Sequence, residues 1–67
     1  MYQIWVYNNR IGKWVKDNLT SDYCTIMNRL FDMIKKDIDY HDSHMYKVMR
    51  KVSEVVHEVI LYAHSFS

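Results

Sequence analysis

His41 and His44 lie close together with Asp39 and Asp42 beside them, and imidazole nitrogens with carboxylate oxygens are ligands that zinc and similar divalent ions accept. The spacing matches no recognised metal motif. Asp42 and Ser43 also suit the start of a helix, where a short polar side chain satisfies an unpaired backbone N–H. No metal or other cofactor is therefore expected. His57 and His64, if helical, are two turns apart and too distant to share an ion without a third element.

Nucleophilic catalysis would need Cys24 or a serine backed by a base and an orienting acid. Cys24 is the only cysteine; it falls at the edge of an apolar helical arc, where an unpaired Cys most often behaves as a small hydrophobe. The first turn of a helix lowers a thiol pKa, and this is the one feature in favour of reactivity. Glu54 and Glu58 are a helical turn apart but share their surroundings with Lys47, Arg50 and Lys51, as on a solvated, ion-paired face. A chain with one glycine has no glycine-rich phosphate loop. The chain reads as a non-enzyme.

Binding is better represented. Trp5, Tyr7 and Trp14 near the N-terminus, together with Leu61 on an otherwise polar stretch, form a candidate partner-binding set, because Trp and Tyr dominate interface hot spots. A second set, Lys35, Lys36, Lys47, Arg50 and Lys51, would gather at one end of an antiparallel helix pair and could hold nucleic-acid phosphates. Asp32, Asp37, Asp39 and Asp42 dilute that patch. The expected function is a small protein-protein interaction module with an unidentified protein partner; nucleic-acid binding is the alternative.

These side chains must be carried by three elements. Residues 2–16 are rich in β-branched and aromatic types around a polar centre and predict a β-hairpin. Two registers compete. A two-residue Asn8-Asn9 turn would place Val6 opposite Ile11 and Tyr2 opposite Val15; a longer loop would use Gly12 at positive φ and leave Arg10 and Ile11 unpaired. The shorter turn is preferred.

Residues 21–39 predict a helix, capped by Thr20 or Ser21, with Tyr23, Ile26, Met27, Leu30, Phe31, Met33, Ile34 and Ile38 on one arc. Asp37 alone intrudes on that arc. Residues 43–63 predict a second helix, on which Met45, Met49, Val52, Val56, Val59, Ala63 and Phe66 recur at a four-three spacing. The expected fold is thus α+β, a two-layer ββαα domain with the hairpin packed on an antiparallel helix pair. The second arc is wider than one neighbour can cover, so those seven residues are expected to form a homodimer interface. A rival arrangement buries the same surface inside the monomer beneath a curled hairpin.

The 67 residues suit a single small domain, whose core rarely supplies more than about 3–5 kcal/mol. A hydrophobic fraction of 49% against 25% charged argues for folding and against disorder. The net charge of +1 selects neither a polyanion nor a polycation as partner. No apolar run approaches a membrane span, and the N-terminus lacks the basic start of a secretory signal, so a cytoplasmic protein is expected. Abundant Ile, Asn, Asp, Lys and Tyr beside scarce Gly and Pro resembles AT-rich phage and viral genomes; on that reading the chain is a phage inhibitor or modulator in the host cytoplasm.

Overall fold

The computed structural model describes residues 1–65. Four strands and one helix follow in the order β1 (Tyr2–Asn8), β2 (Lys13–Ser21), α1 (Tyr23–Asp39), β3 (Met45–Lys51) and β4 (His57–His64). The strands form one antiparallel sheet in the spatial order β2-β1-β3-β4, so the two hairpins meet through β1 and β3.

This ββαββ arrangement overturns the expected ββαα fold and its helical hairpin. The segment read as a second helix is the β3–β4 hairpin. Within it Tyr46 and Val48 alternate with Lys47 and Met49, and both Tyr46 and Val48 are buried, the period-two signature of a strand with one face on a core. The four-three spacing arose from counting through the turn. That turn contains neither Gly nor Pro and is held by Val52 N–H on Val56 O at 2.9 Å and by Val56 N–H on Ser53 Oγ at 3.2 Å.

Without a second helix, the seven residues expected at a dimer interface do not form one helical stripe. Met45, Met49 and Val59 share the helix-free face of the sheet, because Met45, Lys47 and Met49 alternate with buried Tyr46 and Val48, and Val59 pairs with Met49. Ala63 packs toward the core on the other side. Val52 and Val56 flank the β3–β4 turn, and Phe66 lies outside the described residues.

The first hairpin adopts the longer loop. Val6 pairs with Val15, Tyr7 with Trp14 and Asn8 with Lys13, which corrects the expected pairing of Val6 with Ile11. Gly12 has φ +67° and donates its N–H to Asn8 O at 2.8 Å, while Asn8 Oδ1 accepts from the N–H groups of Arg10 and Ile11. Asn8 thereby supplies the hydrogen bonds that the loop backbone lacks.

Helix α1 begins two residues later than the sequence suggested, with Asp22 instead of Thr20 or Ser21 as its N-cap, accepting from Thr25 N–H at 2.9 Å. It ends in a two-bond cap: Asp42 N–H reaches Asp37 O at 2.7 Å, His41 N–H reaches Ile38 O at 3.3 Å, and His41 sits at φ 56°. Ile26 and Leu30 pack on Ile4, Tyr46 and Val48 to form the core. Ile4 and Val48 are register partners on the two central strands and both are fully buried. The rest of the helical arc is less covered: Tyr23, Phe31 and Ile38 stay exposed. Among the described residues no helix is long and apolar enough to cross a membrane.

Candidate functional site

With α1 on one face, side-chain alternation sends the remaining aromatics to the other. Trp5 and Tyr7 come from β1, Trp14 from β2 and Tyr62 from β4. Trp5 is in register with Lys16 on β2 and Lys47 on β3, Tyr7 with Trp14, and Lys47 with Tyr62. Residues in register share a face, so all six side chains converge.

The rings are in contact. Tyr7 and Trp14 meet edge to face with centroids 5.3 Å apart, and Trp14 and Tyr62 approach to 6.3 Å. That second contact is informative because Trp14 and Tyr62 sit on opposite edge strands, about 14 Å apart at the usual strand spacing. The two side chains therefore reach across β1 and β3 toward one another. Lys47 rises between them: its Nζ is 4.3 Å from the Trp14 centroid and 4.9 Å from that of Trp5. Lys16 Nζ lies 5.2 Å from Trp5. Such placements are attractive because the ring face is the negative pole of the aromatic quadrupole.

Trp5 is fixed from beneath as well. Its indole N–H donates to Gln3 Oε1 at 3.3 Å, and Gln3 Nε2 donates to Asp17 O at 2.7 Å. Beside it a recess of about 260 Å³ is lined by Gln3, Thr20, Met49, Lys51 and His57, with Met1 and Tyr2. Met49 is only 7% exposed although it lies on the helix-free face, so this face carries side-chain packing of its own.

Charge is sorted between the two faces. Asp17 and Glu58 are the only carboxylates within strands, and both turn away from the aromatics. Asp17 takes a two-point ion pair from Arg29 of α1, at 2.5 and 3.0 Å, and the hydrogen bond from this guanidinium holds its carboxyl below the usual range. Glu58 pairs with Arg50 at 2.9 Å. Arg50 itself is in register with Tyr2, which packs on Tyr23 of the helix.

A second polar cluster lies at the C-terminal end of α1. Asp37, the residue that broke the apolar arc, is buried and accepts at Oδ2 from the Ser65 hydroxyl at 2.6 Å and from the Tyr46 hydroxyl. His44 Nδ1 stands 3.0 Å from Asp37 Oδ1. Burial alone would push the Asp37 carboxyl up; the Ser65, Tyr46 and His44 contacts outweigh it and hold the pKa below the ordinary value. Tyr46 moves the opposite way, raised by burial and by the neighbouring carboxylate. Donor atoms of Asp37, Asp42 and His44 come within 4.8 Å of one another, but Asp37 Oδ2 already accepts from two hydroxyls. A carboxylate beside an imidazole is also the orienting half of a catalytic triad. Here the hydroxyl at hand, Ser65, is bonded to the acid itself, and Cys24 is exposed thirteen residues up the same helix, about 20 Å away along its axis. The cluster is a structural tie between α1, β3 and the end of β4.

No protein-family model, curated protein or solved structure matches this chain. The geometry therefore carries the functional reading alone.

Of the residues singled out from the sequence, Trp5, Tyr7 and Trp14 are brought together, and Leu61 is not. Leu61 is in register with Val48 and packs against the core on the helix side. The basic set is dispersed: Lys35 and Lys36 ride on α1, Arg50 faces the helix side, Lys51 ends β3 beside Glu54 at 3.5 Å, and Lys47 alone joins the aromatics. Lys16 and Tyr62 went unrecognised as members of the site. The alternation of Trp14 with Lys16, and of Tyr62 with His64, marks them once their segments are read as strands.

Proposed function

We propose that this chain is a non-enzymatic recognition module whose contact surface is the helix-free face of the sheet, built from Trp5, Tyr7, Trp14 and Tyr62 around Lys47. The observation that carries this reading is the crossing of Trp14 and Tyr62 over the two central strands with the Lys47 ammonium between indoles. Large rings left on a surface are costly to solubility and typical of binding hot spots. A folding role alone would bring them to the core, where Ile4, Ile26, Leu30 and Val48 already serve. The free, exposed Cys24 suits a reducing compartment, which supports a cytoplasmic setting for the module.

The test is capture from a cell lysate by tagged wild-type protein and by a Tyr62→Ala, Lys16→Gln double variant. Both positions are exposed, so the variant should keep its circular dichroism and melting temperature. Loss of the captured ligand with folding intact supports the face as the contact surface. Equal capture by both proteins would remove the face from consideration.

A further inference from the structure

The ligand class follows from what the face offers and what it lacks. Its rings are spread over three strands of a four-stranded sheet, β1, β2 and β4, rather than gathered on one projecting element that could enter a groove. Its cations sit among the rings, and neither strand carboxylate, Asp17 or Glu58, lies on this side. We infer that the face binds single-stranded nucleic acid, its bases stacking on Trp5, Trp14 and Tyr62 and its phosphates meeting Lys16 and Lys47; this rests on the reading above that the helix-free face is the contact surface.

Single-stranded RNA and DNA are held in this way by other sheets, with two or three unpaired bases stacked on aromatics and a basic surround following the backbone. Two features here favour that ligand over a protein. Lysine is depleted from the centres of protein interfaces, and yet Lys47 is at the centre of this patch, within 4.9 Å of both indole centroids. Second, the ammonium is carried on the flexible four-carbon stem of lysine while the rings are anchored, Trp5 through Gln3 and Trp14 through Tyr7. A base can take over the ring face that Lys47 occupies in the free protein, and the displaced ammonium then meets the adjoining phosphate. The recess lined by Met49 and His57 beside Trp5 is suited to a neighbouring nucleotide.

The duplex is a poor fit because its bases are stacked on each other and present only edges. Uniform net charge is no obstacle, since the overall value of +1 conceals the sorting of Asp17 and Glu58 to the helix side. The expected binding is sequence-tolerant, because every base has a π-face.

The experiment titrates the full chain with fluorescein-labelled oligo-dT and oligo-rU of about 15 nucleotides, and with a duplex of equal length, following anisotropy and intrinsic tryptophan fluorescence. Single strands should bind and quench the tryptophans while the duplex binds at least tenfold more weakly. Two or three phosphate contacts predict roughly a seven- to twentyfold loss of affinity between about 50 and 200 mM salt. Tyr62→Ala should weaken binding about tenfold, and Lys47→Gln should flatten the salt dependence, whereas a Lys35→Gln, Lys36→Gln control on the helix should change neither. A difference between the dT and rU arms identifies which strand is preferred. Absence of single-strand binding, or binding that Tyr62→Ala leaves untouched, would overturn the inference. If that happens while the lysate ligand is a nuclease-resistant protein lost on the face variant, the contact surface stands and only the nucleic acid is refuted.

Discussion

The Ser65 hydroxyl donates to Asp37 Oδ2 at 2.6 Å across 28 positions of sequence, tying the end of the last strand to the last turns of the helix. The Tyr46 hydroxyl donates to the same oxygen and His44 closes on the other. Ser65 also receives His44 N–H at its Oγ, at 3.1 Å, and gives its own N–H to His44 O at 3.0 Å. A carboxylate is tolerated inside this small domain because its desolvation is offset by two hydroxyl donors and by the adjacent imidazole.

Ser65→Ala should cost about 2 kcal/mol, within the range for a hydrogen bond to a charged group, and Tyr46→Phe a similar amount. Urea unfolding of the two single variants and the double variant measures this. Because both hydroxyls serve one oxygen, the double variant should depart from additivity. Additive losses would mean that the two bonds act independently.

Acid should destabilise the fold through Asp37 and Asp17, whose carboxyls are both held below their ordinary values. A lower pKa in the folded state means that the unfolded chain binds more protons, so stability is present above the unfolded carboxylate value of about 3.9 and is lost as pH falls through the folded values. The urea midpoint should be level near neutrality and drop below about pH 4. Asp37→Asn should start lower at neutral pH and lose less on acidification.

Gly12 and His41 both occupy positive φ, at 67° and 56°, and substitutions there should have opposite signs. Gly12→Ala should destabilise by about 1 kcal/mol. The added Cβ would find only Tyr7 Oη at 3.9 Å, so that cost is conformational and not a clash. His41→Gly should raise the melting temperature by a few degrees, since glycine adopts the left-handed cap without strain. Thermal melts of both variants decide the point.

Ile4 and Val48, paired and fully buried at the centre of the sheet, should dominate the core. Ile4→Val should cost about 1 kcal/mol, whereas Ile4→Ala, at about 2–5 kcal/mol, would consume most of the stability available to a domain of this size. Circular dichroism of the wild type should show about a quarter of the chain as helix, set by the 17 residues of α1. A helical content near twice that would contradict the β3–β4 hairpin.

Much of the first half was legible in residue order. Ile26, Met27, Leu30, Met33 and Ile34 repeat at helical spacing and lie on the covered side of α1, and the clustering of Trp5, Val6, Tyr7, Trp14 and Val15 marks a hairpin because those side chains fit a pleated surface. The second half misled for a local reason. Its turn, Ser53-Glu54-Val55, carries no glycine, proline or asparagine, so two strands ran together into a single apolar rhythm compatible with a helix. The abundance of valine and isoleucine from Val48 to Ile60 was the contrary signal, since β-branched residues favour strands.

What the sequence by itself determined is chemical inventory and short-range order: a helix ending near Asp39, read as 21–39 and found as Tyr23–Asp39, a hairpin built on aromatics, a lone carboxylate on an apolar arc, and no motif that names a reaction. Only the tertiary structure decided that β1 pairs with β3, and with that pairing everything about the site. Pairing depends on contacts between residues more than forty positions apart, such as Ile4 with Val48, which local periodicity does not encode. Once it forms, alternation assigns every side chain to a face. Trp5, Tyr7, Trp14, Tyr62 and two lysines then share the side that the single helix cannot cover, while Asp17, Glu58 and Leu61 go to the other.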